Sequence, residues 1–294
     1  MKYRILATIF CLSAFVFSQN ITTHTYAIKG LDTLKMDVYT PKNIKTNANL
    51  PVILWMHGGG FAGGKRDHPD EVKMMQYFSQ NGYIGISISY RLLLKNAETG
   101  SGCDCPKAFK LEIFKQAAID YLDAAKFIVD NSAMLQINPD KIIAGGGSAG
   151  AESILNAVYM KTYFVDHLET YKNVKFAGVM SLAGALVNAA YITKSNALPT
   201  VLFHGTDDPL VPFASAAHHY CIAEKPGYLQ LDGSETISKK LDALGTAYYF
   251  NKVIGGKHEL CMIPFDQLDT IIQFFEKTVD HSEIIQTKKI ITKN

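Results

Sequence analysis

Short apolar segments of β type alternate with longer segments of helical periodicity along this 294-residue chain, and this alternation constrains the fold most strongly. The predicted strands lie at residues 25–28, 34–39, 52–56, 83–90, 141–144, 176–182, 200–203 and 247–253. The predicted helices lie at residues 71–80, 111–129, 149–159, 213–223, 234–243 and 264–278. The pattern predicts an α/β fold whose mostly parallel sheet is covered by helices on both faces. Functional residues are then expected in loops at the carboxyl ends of the strands.

The first 18 residues have the features of a secretory signal peptide. Lys2 and Arg4 precede an apolar stretch at residues 5–17, which is shorter than the roughly 20 residues that a membrane span needs. We predict cleavage before Gln19, leaving residues 19–294 as one domain of a secreted or periplasmic protein without a membrane span; a membrane anchor is the alternative. The mature chain would carry equal numbers of basic and acidic residues, so we expect no nucleic acid partner.

A glycine-rich turn follows the predicted strand at residues 141–144. It reads GGGSAG, and Gly146, Ser148 and Gly150 form a G-x-S-x-G motif before a predicted helix. A serine exposed on so tight a turn requires almost no side chain two positions before and after it. The same turn also fits the G-x-G-x-x-G pattern of dinucleotide binding, but the next predicted strand does not end in the acidic residue which that function needs.

A second glycine loop, HGGGF, follows the predicted strand at residues 52–56. With the G-x-S-x-G turn, it resembles the α/β-hydrolase fold, and within it the HGGG-type carboxylesterases related to hormone-sensitive lipase and to bacterial carbohydrate acetyl and feruloyl esterases. Backbone amides can surround an oxyanion only where no β-carbon intrudes. The resemblance implies that the amides of Gly59, Gly60 and Ala149 form an oxyanion hole, and that His57 supports the loop.

In this fold the catalytic residues follow the order nucleophile, acid, base. The segment HGTDDPLVP after residues 200–203 resembles the acid turn of the family, and its acid aligns with Asp208, with Asp207 as the alternative. His258 lies in a glycine-rich segment after the last predicted strand and is the expected base. Ser148, Asp208 and His258 would therefore form a catalytic triad.

The remaining histidines do not indicate a metal site. His204 is expected to support the structure at a strand end, and His218 and His219 would point in different directions from a predicted helix. The chain contains no H-E-x-x-H motif and no cysteine–histidine cluster with zinc spacing. We therefore predict neither a metal nor a cofactor.

Four cysteines remain after removal of the signal peptide, Cys103, Cys105, Cys221 and Cys261, and they can pair in three ways. An oxidising compartment favours disulfides. A bond from Cys103 or Cys105 to Cys221 would hold the long loop before the helix at residues 111–129 over the active site. Four free thiols are the alternative.

The sequence thus predicts a serine carboxylic-ester hydrolase. The segments before His57 and between residues 182 and 200 are short, so we expect a minimal cap or none. An open site favours short-chain acyl esters or carbohydrate-linked acetyl and feruloyl esters, including acylated polysaccharides. The alternatives are a peptidase or amidase of the same fold and a non-catalytic binding module. The tail at residues 281–294 could either cover an edge strand or fray.

Overall fold

The computed structural model describes residues 20–42 and 49–293, so the predicted signal peptide lies outside the described residues. Its strands are β1 Asn20–Lys29, β2 Asp32–Thr40, β3 Leu50–Met56, β4 Ile84–Ile88, β5 Ile137–Gly147, β6 Gly178–Leu182, β7 Ala185–Leu186, β8 Thr200–Gly205, β9 Ser215–Ala217, β10 Gln230–Gly233, β11 Tyr248–Ile254 and β12 Gln286–Thr292. Its α-helices are α1 Pro69–Gln80, α2 Lys107–Asp130, α3 Ser132–Leu135, α4 Ala149–Tyr159, α5 Lys161–Phe164, α6 Ser234–Ala243 and α7 Leu268–Phe275. Most of the predicted elements are therefore present.

Nine of the strands form one central sheet in the order β1-β2-β4-β3-β5-β6-β8-β11-β12. The β1–β2 and β2–β4 pairs are antiparallel, and every pair from β4 to β12 is parallel. A second, three-stranded sheet of β7, β10 and β9 lies outside it. The predicted α/β architecture with a mostly parallel sheet is confirmed.

Each face of the central sheet is covered by its own hydrophobic cluster. On one face, α2, α4 and α6 contribute apolar residues such as Phe114, Leu155 and Leu241. On the other face, α1 and α7 contribute residues such as Phe78 and Phe274. Because helices cover both faces, inner strands such as β4, β6 and β8 are buried on both sides, which explains why they read as short, continuous apolar runs.

The predicted helix at residues 213–223 is wrong. The segment forms β9 and then a short 3-10 turn, His218–Tyr220, in which His219 and Tyr220 have positive φ angles of 55° and 51°. Its alanines favour a helix locally, but residues 215–217 pair with β10, and the His219 amide donates to the Leu210 carbonyl. These tertiary hydrogen bonds outweigh the weak local propensity.

The C-terminal region also differs in detail. The predicted helix at residues 264–278 divides into a 3-10 turn, Phe265–Gln267, then α7 and a π-helical turn, Glu276–Asp280. Of the two alternatives for the tail, the structure shows the first, because β12 pairs along the full length of β11. The main-chain groups at that edge of β11 are thereby satisfied within the chain.

Candidate active site

Ser148 lies on a sharp turn between β5 and α4. Its backbone angles, φ 51° and ψ −125°, are rarely adopted by a residue with a side chain. A β-carbon on Gly146 would overlap Gly150, and one on Gly150 would overlap the carbonyl oxygen of Met56. The spacing of the G-x-S-x-G motif therefore reflects the space available around the serine.

The HGGG loop packs directly against this turn. A β-carbon on Gly58 would come within 2.9 Å of the Gly147 carbonyl oxygen and 3.2 Å of the Ser148 β-carbon. Gly59 has a φ of 116°, and its carbonyl accepts hydrogen bonds from the amides of Ala62 and Gly63. This compact turn places the start of the glycine loop beside the serine.

His57 occupies the supporting position that the resemblance implied. Its Nδ1 lies 2.7 Å from the Gly58 carbonyl oxygen, and its ring packs 4.7 Å from the ring of Tyr90. The Tyr90 hydroxyl donates to the backbone carbonyl of His57. The contacts of its ring and of its backbone carbonyl therefore hold His57 in place, and with it the conformation of the loop.

The structure brings Ser148, His258 and Asp208 into one hydrogen-bonded chain. Ser148 Oγ lies 2.8 Å from His258 Nε2, and His258 Nδ1 lies 2.7 Å from Asp208 Oδ2. The serine comes from the turn after β5, the acid from the loop after β8, and the base from the loop after β11. All three loops lie at the carboxyl ends of parallel strands in the central sheet, as expected for an α/β sheet.

Asp208 is held as an ionised acceptor. Its Oδ1 accepts the amides of Leu210 and Val211, and His204 Nε2 lies 3.3 Å from its Oδ2. Burial alone would raise the pKa of Asp208, but the hydrogen bonds from His204 and His258 outweigh burial and hold that pKa well below its usual value. Because this carboxylate only accepts, His258 Nδ1 carries a proton, and in the neutral imidazole Nε2 is then free to accept the proton of Ser148.

The geometry distinguishes between the two candidate acids. Asp208 is fully buried against His258, whereas Asp207 is exposed and its carboxylate accepts a hydrogen bond from Thr206. His204 contacts Asp208 and Ser234, as expected of a supporting histidine. Asp208 is therefore the carboxylate in position to orient His258.

The three residues whose amides are expected to form an oxyanion hole line the same cavity as Ser148. Gly59, Gly60 and Ala149 all line it. Among the described residues, the amides of Gly59 and Gly60 donate no backbone hydrogen bond. Ala149 begins α4, so its amide has no partner within the helix. Free amides and a helix N-terminus together favour a negative charge beside Ser148.

The cavity has a volume of about 370 Å³ and is bordered by residues that sequence reasoning did not assign to the site: Ser101, Glu152, Leu210, His218, His219 and Cys261. His218 and His219 were predicted to lie on a helix at residues 213–223, but the structure has no α-helix there. The sequence contained one indication of the role of Glu152, because this is the only charged residue of α4. Its position four residues after Ser148 puts it on the serine's side of the helix.

A disulfide joins Cys103 to Cys221, which is one of the two pairings expected from the sequence. Among the described cysteines, Cys105 and Cys261 are free thiols. The bond attaches the loop that carries Ser101 to the segment that carries His218 and His219, and Ser101 Oγ lies 3.2 Å from His219 Nε2. One wall of the cavity is thereby covalently fixed.

Replacing both Cys103 and Cys221 by serine should lower the free energy of unfolding by about 2–4 kcal/mol, because the bond closes a long segment of the chain. Its sequence separation is 118 residues. Thermal unfolding of the oxidised proteins measures the effect, and Cys261→Ser is the matched control with the bond intact. If the double variant and the wild type unfold at the same temperature, and mass mapping finds four free thiols, the disulfide is refuted.

Two further searches cover only the part of the chain that the structure describes. There, no group of three or more His, Cys, Asp or Glu side chains is arranged to hold a metal ion. None of the helices in residues 20–42 and 49–293 combines the length and apolarity required to cross a bilayer.

The sheet, the serine turn and the order of the three polar residues define the α/β-hydrolase class. Solved structures agree: the native esterase Est2 of the planctomycete Thermogutta terrifontis superposes with a TM-score of 0.64 at 17% identity, over 87% of this chain and 92% of that one. The family model BD-FAE matches residues 36–186. The chain therefore belongs to the BD-FAE family, which confirms the resemblance inferred from the two glycine motifs.

Two curated relatives are esterases by name. Gut esterase 1 of Caenorhabditis briggsae is 32% identical over 174 residues, which is 59% of this chain and 28% of that protein. Carboxylesterase 1D of Mus musculus is 26% identical over 215 residues, which is 73% of this chain and 34% of that protein. The chain thus spans about a third or less of the length of these relatives.

Proposed function

We propose that this protein is a serine carboxylic-ester hydrolase in which Ser148, His258 and Asp208 form the catalytic triad. The observation that carries the proposal is the continuous hydrogen-bonded chain from Ser148 Oγ through His258 to Asp208, beside residues with free amides that line the same cavity. A related fold supports it, since a Thermogutta terrifontis esterase 2 structure is described as phosphorylated by paraoxon.

The geometry supports acyl transfer in two steps. Ser148 Oγ attacks the ester carbonyl while His258 Nε2 takes its proton, and the amides of Gly59, Gly60 and Ala149 donate to the oxyanion that forms. His258 then gives the proton to the leaving alcohol, and an acyl-enzyme remains on Ser148. Water repeats the sequence, which releases the carboxylic acid and restores the serine. Asp208 orients His258 and stabilises its protonated form.

The preferred substrates in this proposal are short-chain acyl esters, including acetyl and feruloyl groups linked to carbohydrate. The cavity volume of about 370 Å³ lies near the lower end of the range for small-molecule sites, roughly 300–1,000 Å³. Loops and the first turn of α4 border it, without a separate helical layer among the described residues, and a minimal cap suits acyl groups on large alcohols. The disulfide supports export through the predicted signal peptide, because such bonds persist in oxidising compartments.

A series of p-nitrophenyl esters tests the substrate proposal. We expect kcat/KM to be highest for acyl chains of about two to four carbons, because the open cavity would leave the end of a longer aliphatic chain in water, with turnover of acetylated xylan or a feruloyl ester in the same assay. Higher kcat/KM on decanoate than on acetate would contradict the proposal. Faster cleavage of p-nitroanilides than of the matched esters would instead support a peptidase.

A further inference from the structure

Glu152 and His218 form a buried polar pair in the wall of the cavity that contains Ser148. Both residues line the cavity and both are 2% exposed. Glu152 Oε1 lies 3.3 Å from His218 Nε2. Neither side chain belongs to the proposed triad or to the oxyanion hole, so the proposed mechanism assigns no role to the pair.

Part of the hydrogen-bonding capacity of this pair is unused. Within the described chain, His218 Nδ1 is a buried atom without a hydrogen-bond partner, and Glu152 Oε1 makes only the 3.3 Å contact to His218 Nε2, which does not meet the geometry of a hydrogen bond. An unsatisfied buried polar group costs about 1–3 kcal/mol, so such groups are rare in folded proteins. A buried pair with unused hydrogen-bonding capacity on this cavity indicates that a bound group completes its hydrogen bonds.

The chemistry of the pair favours a neutral ligand group that both donates and accepts. Burial raises the pKa of Glu152 to about 8, and burial together with the nearby His219 and Lys110 lowers the pKa of His218 well below its usual value. A protonated Glu152 beside a neutral His218 carries no net charge and offers both a donor and an acceptor. A hydroxyl group matches this pair, whereas an ammonium or a carboxylate does not.

We propose that Glu152 and His218 bind a hydroxyl group carried by the substrate near the scissile ester, and that they select hydroxylated esters over plain aliphatic ones. The inference rests on the proposed esterase function of the same site. It adds to that function a specificity-determining pair one helical turn from the nucleophile. The hydroxyl can belong to the alcohol or to the acyl group, and the two sources are separated by experiment.

Several backbone contacts hold His218 in its position beside Glu152. His219 and Tyr220 both have positive φ angles, a strained conformation that persists only where surrounding contacts impose it. The His218 amide donates to the Leu229 carbonyl, the His219 amide donates to the Leu210 carbonyl, and Cys221 is fixed by the disulfide. These contacts fix the imidazole of His218 against Glu152.

The test compares two substrate pairs in a pH-stat. Glycerol monobutyrate against propyl butyrate reports a hydroxyl in the alcohol, and ethyl 3-hydroxybutyrate against ethyl butyrate reports a hydroxyl in the acyl group. We expect the wild type to favour the hydroxylated member of one pair by about tenfold or more in kcat/KM. Glu152→Met and His218→Phe should reduce that ratio to near one, because they lower kcat/KM for the hydroxylated ester more than for the plain ester. Glu152→Gln should keep most of the ratio, because an amide also donates and accepts.

Glu71→Met is the matched control. Glu71 is another partly buried carboxyl group, and burial raises its pKa as it does that of Glu152, but Glu71 does not line the cavity. We expect it to leave both ratios unchanged. A wild-type ratio near one in both pairs would overturn the inference. Equal losses on hydroxylated and plain esters in Glu152→Met and His218→Phe would also overturn it, because they indicate a structural role. Failure of the proposed esterase function itself looks different, since the wild type would then hydrolyse neither member of either pair.

Discussion

Replacing Ser148 by alanine should reduce kcat for p-nitrophenyl acetate by a factor on the order of 10⁴ to 10⁶, because the acyl-enzyme can no longer form. The residual rate would come from the oxyanion amides and from substrate binding alone. Steady-state kinetics on the purified variant measure the loss. A fluorophosphonate probe provides a second reading, since it should label the wild type and fail to label Ser148→Ala.

The variant should remain folded. Alanine has the same β-carbon as serine, so it adopts the strained backbone angle of φ 51° at no additional steric cost. Thermal unfolding should therefore match the wild type closely, which separates loss of chemistry from loss of structure. Turnover by Ser148→Ala above one tenth of the wild-type rate would reject the nucleophile assignment and favour the non-catalytic binding module or another nucleophile.

Asp208→Asn should have the second largest effect, lowering kcat by a factor on the order of 10⁴. The asparagine side chain offers an NH₂ group or a neutral oxygen where His258 Nδ1 now meets a carboxylate, so the imidazole loses the partner that selects its tautomer. Asp208 also raises the pKa of His258 against the lowering effect of burial. Its removal lowers that pKa, so the acid limb of the pH profile of kcat/KM should move to lower pH.

Asp207→Asn is the matched control for this experiment. It changes the adjacent residue in the same way, but Asp207 is exposed and contacts Thr206 rather than His258. We expect its kcat to stay within about twofold of the wild type, as is usual for a surface change. A larger loss in Asp207→Asn than in Asp208→Asn would show that the acid lies one position earlier in the chain.

Local chemistry explains why much of the site could be predicted. A β-carbon on Gly58, Gly59, Gly146 or Gly150 would overlap neighbouring backbone, so at these positions the sequence pattern records the steric constraint directly. Alternating apolar strands and helices similarly record burial on both faces of a parallel sheet. From these patterns together with the family resemblance one predicts the fold class, the strand ends, Ser148, His258 and an acid at Asp208 or Asp207.

Other features depend on contacts between segments that are distant in sequence. The segment at residues 213–223 has a helical composition, yet pairing with β10 and the bond from Cys221 to Cys103 give it another conformation. That change brings His218 beside Glu152, which no local pattern could indicate. The same holds for the C-terminal tail, whose place beside β11 depends on long-range hydrogen bonds.

The sequence by itself determined the α/β architecture and the two glycine loops, because these follow from local sterics and from periodic burial, and the family resemblance supplied the chain order of the proposed triad. The tertiary structure decided which of two adjacent aspartates contacts His258, which cysteine pairs with Cys221, and which side chains form the cavity wall. Each of these depends on the direction in which a side chain points after distant segments have packed together. Neighbouring residues such as Asp207 and Asp208 differ in that direction although their chemistry is identical.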